Sequence, residues 1–140
     1  MHTEIHQITL EQAPGEYAVC RLAPHAAIPS WADGAGFVTI SRSAHELSIV
    51  CLADRVPADT HREDGWCCLR FVGPFAFGAT GIVLSVVRPL SEGGLGVFVV
   101  STFDGDHLLI KSNDMSTAAT LLERAGHVLT GTGGADPALC

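Results

Sequence analysis

The feature that most restricts the fold is a stretch of sequence that occurs twice. Gly36-Phe37-Val38-Thr39-Ile40-Ser41 and Gly96-Val97-Phe98-Val99-Val100-Ser101 share one apolar pattern. At the same offset, Leu47-Ser48-Ile49-Val50 falls on His107-Leu108-Leu109-Ile110 without a gap. Upstream, Val19 to Pro24 parallels Leu69 to Pro74, each an apolar run ended by proline. Self-similarity of this kind points to a duplicated supersecondary unit. The chain has 140 residues, of which 47% are apolar. That is room for two very small units, each with material for a core.

The second copy reads in more detail. Trp66 to Val72 is an apolar run closed by Gly73-Pro74 and is expected to be a buried strand. Thr80 offers an N-cap hydroxyl to a helix over Gly81 to Leu90, whose Ile82, Val83, Val86, Val87 and Leu90 share one face. Pro89 should kink or loosen its last turn, and Gly93-Gly94 should end it. Gly96 to Ser101 and His107 to Lys111 then form a hairpin, linked through Thr102 to Asp106 with an Asp-Gly pair suited to positive φ. Asp114 can cap a second helix, with Met115, Ala118, Ala119, Leu121, Leu122 and Ala125 inward and Gly126 as its stop. His127 to Leu129 completes the order β-α-β-β-α-β, the split βαβ arrangement of ferredoxin-like folds.

The first copy has less material. Its connection from Pro24 to Gly36 is about ten residues shorter than that from Pro74 to Gly96, so only a turn or two of helix around Ser30-Trp31-Ala32 fits. Ala53 to Gly65 is polar and reads as a linker or a poor helix. The expected fold class is α+β: two tandem ferredoxin-like units with antiparallel sheets, the first with a shortened helix. The first unit is expected over 5–62 and the second over 63–130, with a Gly-rich, disordered tail over 131–140. The expected core is Val38, Ile40, Ile49, Leu69, Phe71, Ile82, Val86, Phe98, Val100, Leu109 and Leu122.

Charge and composition exclude several functions. The net charge is −7, Lys111 is the single lysine, and the arginines are scattered. Nucleic acid and anionic membranes both require clustered cations, so neither is an expected partner. No apolar run approaches the roughly 20 residues that span a bilayer. The N-terminal Met-His-Thr-Glu-Ile-His lacks the basic and apolar regions of a signal peptide, so the expected location is the cytoplasm. Cys20, Cys51, Cys67, Cys68 and Cys140 form no Cys-x-x-Cys pair and read as reduced, mostly buried small hydrophobes. The seven histidines show no metal spacing, and Ser41 and Ser101 lack a Gly-x-Ser-x-Gly elbow. No phosphate loop occurs. No catalytic residue, metal site or cofactor is therefore expected.

Several segments nevertheless resemble a known family. These are Gly36 to Arg42, Glu46 to Cys51, Gly65 to Arg70, Thr80-Gly81-Ile82-Val83 and Ser101 to Asp106. Together they resemble short bacterial tandem ACT-domain proteins, similar to the ACT units of the CASTOR-type arginine sensors. The resemblance runs from about Tyr17 to His127. It implies the ferredoxin-like fold, side-by-side packing of the units and, often, a homodimer formed through sheet edges or helices. In amino-acid-binding relatives the ligand sits between ACT units, against the loop entering the first helix and a strand-to-strand turn. By position these are Phe77, Thr80, Gly81, Ile82 and Val83, and Ser101, Thr102, Phe103, Asp104 and Asp106, with Asp106 at the acidic position. The sensors have four units where this chain has two.

The residues themselves are compatible with such a site. The free amides near Gly81, Ile82 and Val83 can receive a carboxylate at the positive end of the helix dipole. Asp104 or Asp106 can pair with an ammonium. Read without a ligand, the same residues are a helix start and a hairpin turn. Two functions follow as expectations: a non-catalytic regulator that binds a small molecule, an amino acid first, or a ligand-free interaction and dimerisation module.

Overall fold

The computed structural model describes residues 6–75 and 80–131. It has the expected α+β character, with eight strands and two α-helices among these residues. The chain groups into two compact units. The smaller is Gly15–Trp66, and the larger joins the N-terminal segment through Pro14 to everything from Cys67 onward. The strand β5 (Arg62–Phe71) runs through the boundary, so its first residues count with the smaller unit and its last with the larger.

The smaller unit is an antiparallel sheet. β2 (Tyr17–Leu22) pairs with β4 (Leu47–Leu52), β4 with β3 (Thr39–Arg42), and β2 also with the start of β5. Residues Arg62 to Gly65, expected within a linker, are strand because Val19 and Cys20 pair with Glu63 and Arg62. The period-2 face of Ala18, Cys20, Leu47, Ile49 and Cys51 is buried, together with Ala32 from the expected short turn, a 3-10 helix over Ser30–Ala32. Val38 is half-buried against this core. Ile40, expected in the core, stands opposite the buried Ile49 on the same face, yet is 38% exposed because β3 pairs on one side only and its outer flank is left uncovered.

Where a ferredoxin-like unit would carry a full helix, arginines hold this connection in place. Arg55 donates from Nε to the Trp31 carbonyl at 3.1 Å and from Nη1 to that of Ala35 at 2.7 Å. Arg42 donates to the carbonyls of Pro24 and of Ala26, the latter at 2.8 Å. Backbone carbonyls that no helix satisfies still need donors, and charge-assisted bonds supply them.

In the larger unit, β1 (Thr9–Gln12) lies antiparallel to β5 and parallel to β8 (Val128–Gly131). β7 (Asp106–Lys111) pairs with β5 and with β6 (Phe98–Ser101). β1 was not foreseen. It intervenes between β8 and β5, so the last strand reaches β5 only through it. The helices α1 (Ile82–Glu92) and α2 (Met115–Arg124) supply Ile82, Val86, Leu90, Met115, Ala118 and Leu122 to a core shared with Leu10, Leu69, Phe71, Leu108 and Ile110. Phe98 and Val100, expected to be buried, are half-buried on β6, a strand paired on one side only. The expected disordered tail lies, apart from Gly131, outside the described residues.

Pro89 sits inside α1, which continues to Glu92. Proline has no N–H, so the carbonyl of Ser85, four residues earlier, loses its helical donor. His127 replaces it. Its Nδ1 accepts the Ile8 amide at 3.0 Å, which places the ring proton on Nε2, and Nε2–H donates to the Ser85 carbonyl at 2.7 Å. His127 is 4% exposed, so this bond replaces the missing one without water.

Among the cysteines, Cys20, Cys51 and Cys68 are buried free thiols. Burial pushes Cys20 up to about 11 and Cys68 up to about 12, so neither is a nucleophile. Cys67 departs from the reading of all five as reduced, since it is disulfide-bonded. Its strand neighbour Cys68 points to the opposite face and so meets a different environment.

Candidate functional site

The sequence-derived site residues lie in the larger unit, and most of them meet. A crevice of about 350 Å³ is walled on one side by Gly81, Ile82, Val83 and Leu84 and on the other by the run from Ser101 to Asp106. It therefore brings together Gly81, Ile82, Val83, Ser101, Thr102, Phe103, Asp104 and Asp106 of the expected set. Thr80 is exposed beside it and does not line it. Phe77 lies outside the described residues.

The helix side starts at Gly81, not at Thr80. Gly81 is the N-cap, with φ +82, and no side chain caps the helix. Only glycine takes this backbone conformation without strain. The Thr80 carbonyl bonds His6 Nε2 at 3.0 Å, and the first intrahelical bond runs from the Ser85 amide to the Gly81 carbonyl at 2.9 Å. Helix geometry leaves the amides of Ile82, Val83 and Leu84 without intrahelical acceptors, at the positive end of an 11-residue dipole.

The hairpin side is a four-residue link, Thr102 to Gly105, closed by the Thr102 amide on the Gly105 carbonyl at 2.7 Å. The Thr102 hydroxyl donates to the same carbonyl at 2.8 Å. The expected positive φ at Gly105 is not used, because threonine closes the link instead. Ser101 Oγ donates to Asp106 Oδ1 at 2.6 Å, fixing one carboxylate at the crevice wall. The smaller unit closes its own link in the same way, from the Ser43 amide to the Glu46 carbonyl at 2.9 Å. The duplication is thus real in three dimensions, but one residue out of step with the sequence match: Arg42 and Leu47 stand where Ser101 and Asp106 stand.

Sequence reasoning missed Phe75, Leu84 and Gly105 as lining residues. Leu84 carried a readable signal, being a large apolar residue off the inward face of α1, and it is 42% exposed. Phe103 is 84% exposed. The crevice thus combines free amides, two carboxylates and apolar walls, with no cationic side chain lining it among the described residues. Among the described residues no group of three or more His, Cys, Asp or Glu could hold a metal ion, and no helix is long and apolar enough to cross a membrane.

Comparison with known proteins agrees with this architecture. The ACT domain family matches residues 61–124, and an N-terminal-domain family matches residues 15–59. The crystal structure of protein Atu0741 from Agobacterium tumefaciens is 57% identical, with a TM-score of 0.87 over 90% of this chain and 94% of that one. A protein of unknown function from Vibrio cholerae, VC0802, described as a possible transport protein, is 16% identical with a TM-score of 0.67, covering 86% of this chain and 91% of that one. Aspartate kinase of Clostridium acetobutylicum, described as an allosteric enzyme, is 12% identical with a TM-score of 0.59 over 89% of this chain and 36% of its own. The last two share the fold alone. No curated protein matches.

Proposed function

Since the chain belongs to the family of Agobacterium tumefaciens Atu0741 and carries an ACT domain over residues 61–124, we propose that it is a non-catalytic regulatory protein whose crevice binds a small amino acid. One observation carries this reading: the uncapped start of α1 and the Ser101–Asp106 turn wall a single crevice. A ligand carboxylate is received by the amides of Ile82 to Leu84, where the helix dipole favours an anion. Its ammonium pairs with Asp106, already oriented by Ser101, or with Asp104. Phe75, Leu84 and Phe103 offer apolar surface to the ligand side chain. The likeness to an allosteric aspartate kinase supports a regulatory use of the fold. We place the protein in the cytoplasm, in keeping with its acidic sequence.

Melting curves recorded with each of the twenty amino acids test this. A ligand that binds only the folded state raises Tm. The rise should disappear in Gly81→Val and shrink in Asp106→Ala. A rise that ignores both substitutions overturns the site.

A second reading is favoured by the exposure of Phe103 and Leu84 beside the open edge of β6. There the same surface is a dimerisation or partner-docking face without a ligand. A full screen without any stabilising amino acid, together with a dimer that Phe103→Ser dissociates, selects it.

A further inference from the structure

The link that walls the first crevice has a second side. There a separate crevice of about 310 Å³ is lined by Arg70, Gly73, Pro74 and His107, and by Asp104 and Asp106 from the link. Leu69 and Phe71 on β5, and Leu108 and Ile110 on β7, enter the core beneath the helices. Strand alternation puts Arg70 and His107 on the opposite face. Among the described residues, Arg70 is the one arginine or lysine lining either crevice.

Arg70 is held but not saturated. Its Nε donates to Glu11 Oε1 at 3.2 Å, while Nη1 and Nη2 have no acceptor among the described residues. A guanidinium edge of this kind is a planar fork that matches a carboxylate. His107 adds no second cation: burial, and then the nearby Arg70, hold it below its ordinary value, with Asp106 opposing. The charges that remain are of both signs. A simple anion meets Asp104 and Asp106, and a simple cation meets Arg70. A molecule with a negative and a positive end satisfies both.

We propose that this crevice is a second ligand site, which takes a small zwitterion with its carboxylate on Arg70 and its amine on Asp104. The site differs from the one assigned above in where it takes the carboxylate, since Arg70 lines it and Gly81 to Leu84 do not, while Asp104 and Asp106 line both crevices.

Glycine is the probe, with acetate and methylammonium as its two halves. The readout is the Nε–Hε NMR signal of Arg70 in the labelled full chain, assigned by its loss in Arg70→Gln. Glycine should move this signal saturably, and each half at equal concentration should bind about tenfold more weakly or less. Asp104→Asn should weaken glycine about tenfold, and calorimetry should show the same loss for Arg70→Gln. Both side chains are exposed, so these variants keep the fold. Gly81→Val should leave the Arg70 response unchanged while it removes binding at the first crevice. No saturable shift, an equal response to acetate, or a response abolished by Gly81→Val overturns the proposal.

Discussion

Ser101 and Asp106 face each other across the β6–β7 pair and are joined by a 2.6 Å hydrogen bond, whereas the equivalent pair in the smaller unit is Arg42 and Leu47. The two hairpins close with the same backbone bond, so the difference is one of side chains. One copy presents an oriented carboxylate. The other presents an apolar residue, and its arginine is spent on the Pro24 and Ala26 carbonyls. Duplicated architecture here does not mean a duplicated site.

Asp106→Ala should therefore weaken an ammonium-bearing ligand by roughly 1–3 kcal/mol, the range for a charge-assisted hydrogen bond. Ser101→Ala leaves the charge but frees the carboxylate, so it should cost less. Calorimetry on both variants checks the order, and a Ser101→Ala loss equal to that of Asp106→Ala would contradict it.

His107 gives stability a pH dependence of known sign. Burial first and Arg70 second lower its proton affinity below the ordinary value of 6.5, and Asp106 opposes them. Between the folded and unfolded values the unfolded chain binds more protons. Stability is thus full above pH 6.5, falls as pH drops below it, and levels off beneath the folded value. Urea titrations from pH 5 to 7.5 should show that fall, and His107→Phe should flatten the share that His107 contributes.

The arginine clamp makes a prediction for the smaller unit. Arg55→Met removes two donors from the Trp31 and Ala35 carbonyls, each worth about 1.5–3 kcal/mol when the donor is charged. Partial exposure of the Ala35 contact brings the expected total nearer 2 kcal/mol. Arg55→Lys should not restore it, because an ammonium cannot reproduce the fork. Denaturant midpoints for both variants decide this.

Much of the fold was legible because it rests on short-range patterns. The 3.6-residue spacing of Ile82, Val86 and Leu90, and of Met115, Ala118 and Leu122, gave both helices their buried faces. The crevice was legible because both its walls are local motifs, a glycine-opened helix and an acidic link. What escaped were the long-range choices. Nothing local shows that Thr9 to Gln12 will pair with β5 and β8, residues far along the chain. Nor does an alternating run show that its strand will be paired on one side only, where even a core-side residue such as Ile40 stays partly open.

That distinction is measurable. Leu122→Ala, at a fully buried position, should cost roughly 2–5 kcal/mol. Ile40→Ala, on an open edge, should cost under about 1 kcal/mol. Equal unfolding midpoints for the two would show that the burial assignment is wrong.

The exchange between Pro89 and His127 sets the order in which these positions can change. Replacing His127 first, for example by Phe, strands the Ser85 carbonyl and the Ile8 amide in a dry interior, at about 1–3 kcal/mol each. Replacing Pro89 first by Ala restores a helical donor to Ser85, after which loss of the imidazole strands only the Ile8 amide. A thermodynamic cycle of Pro89→Ala and His127→Phe should therefore be non-additive, the double variant being more stable than the sum of the singles predicts. Along any route of single substitutions from this sequence, the less costly order is for the proline to leave before the histidine.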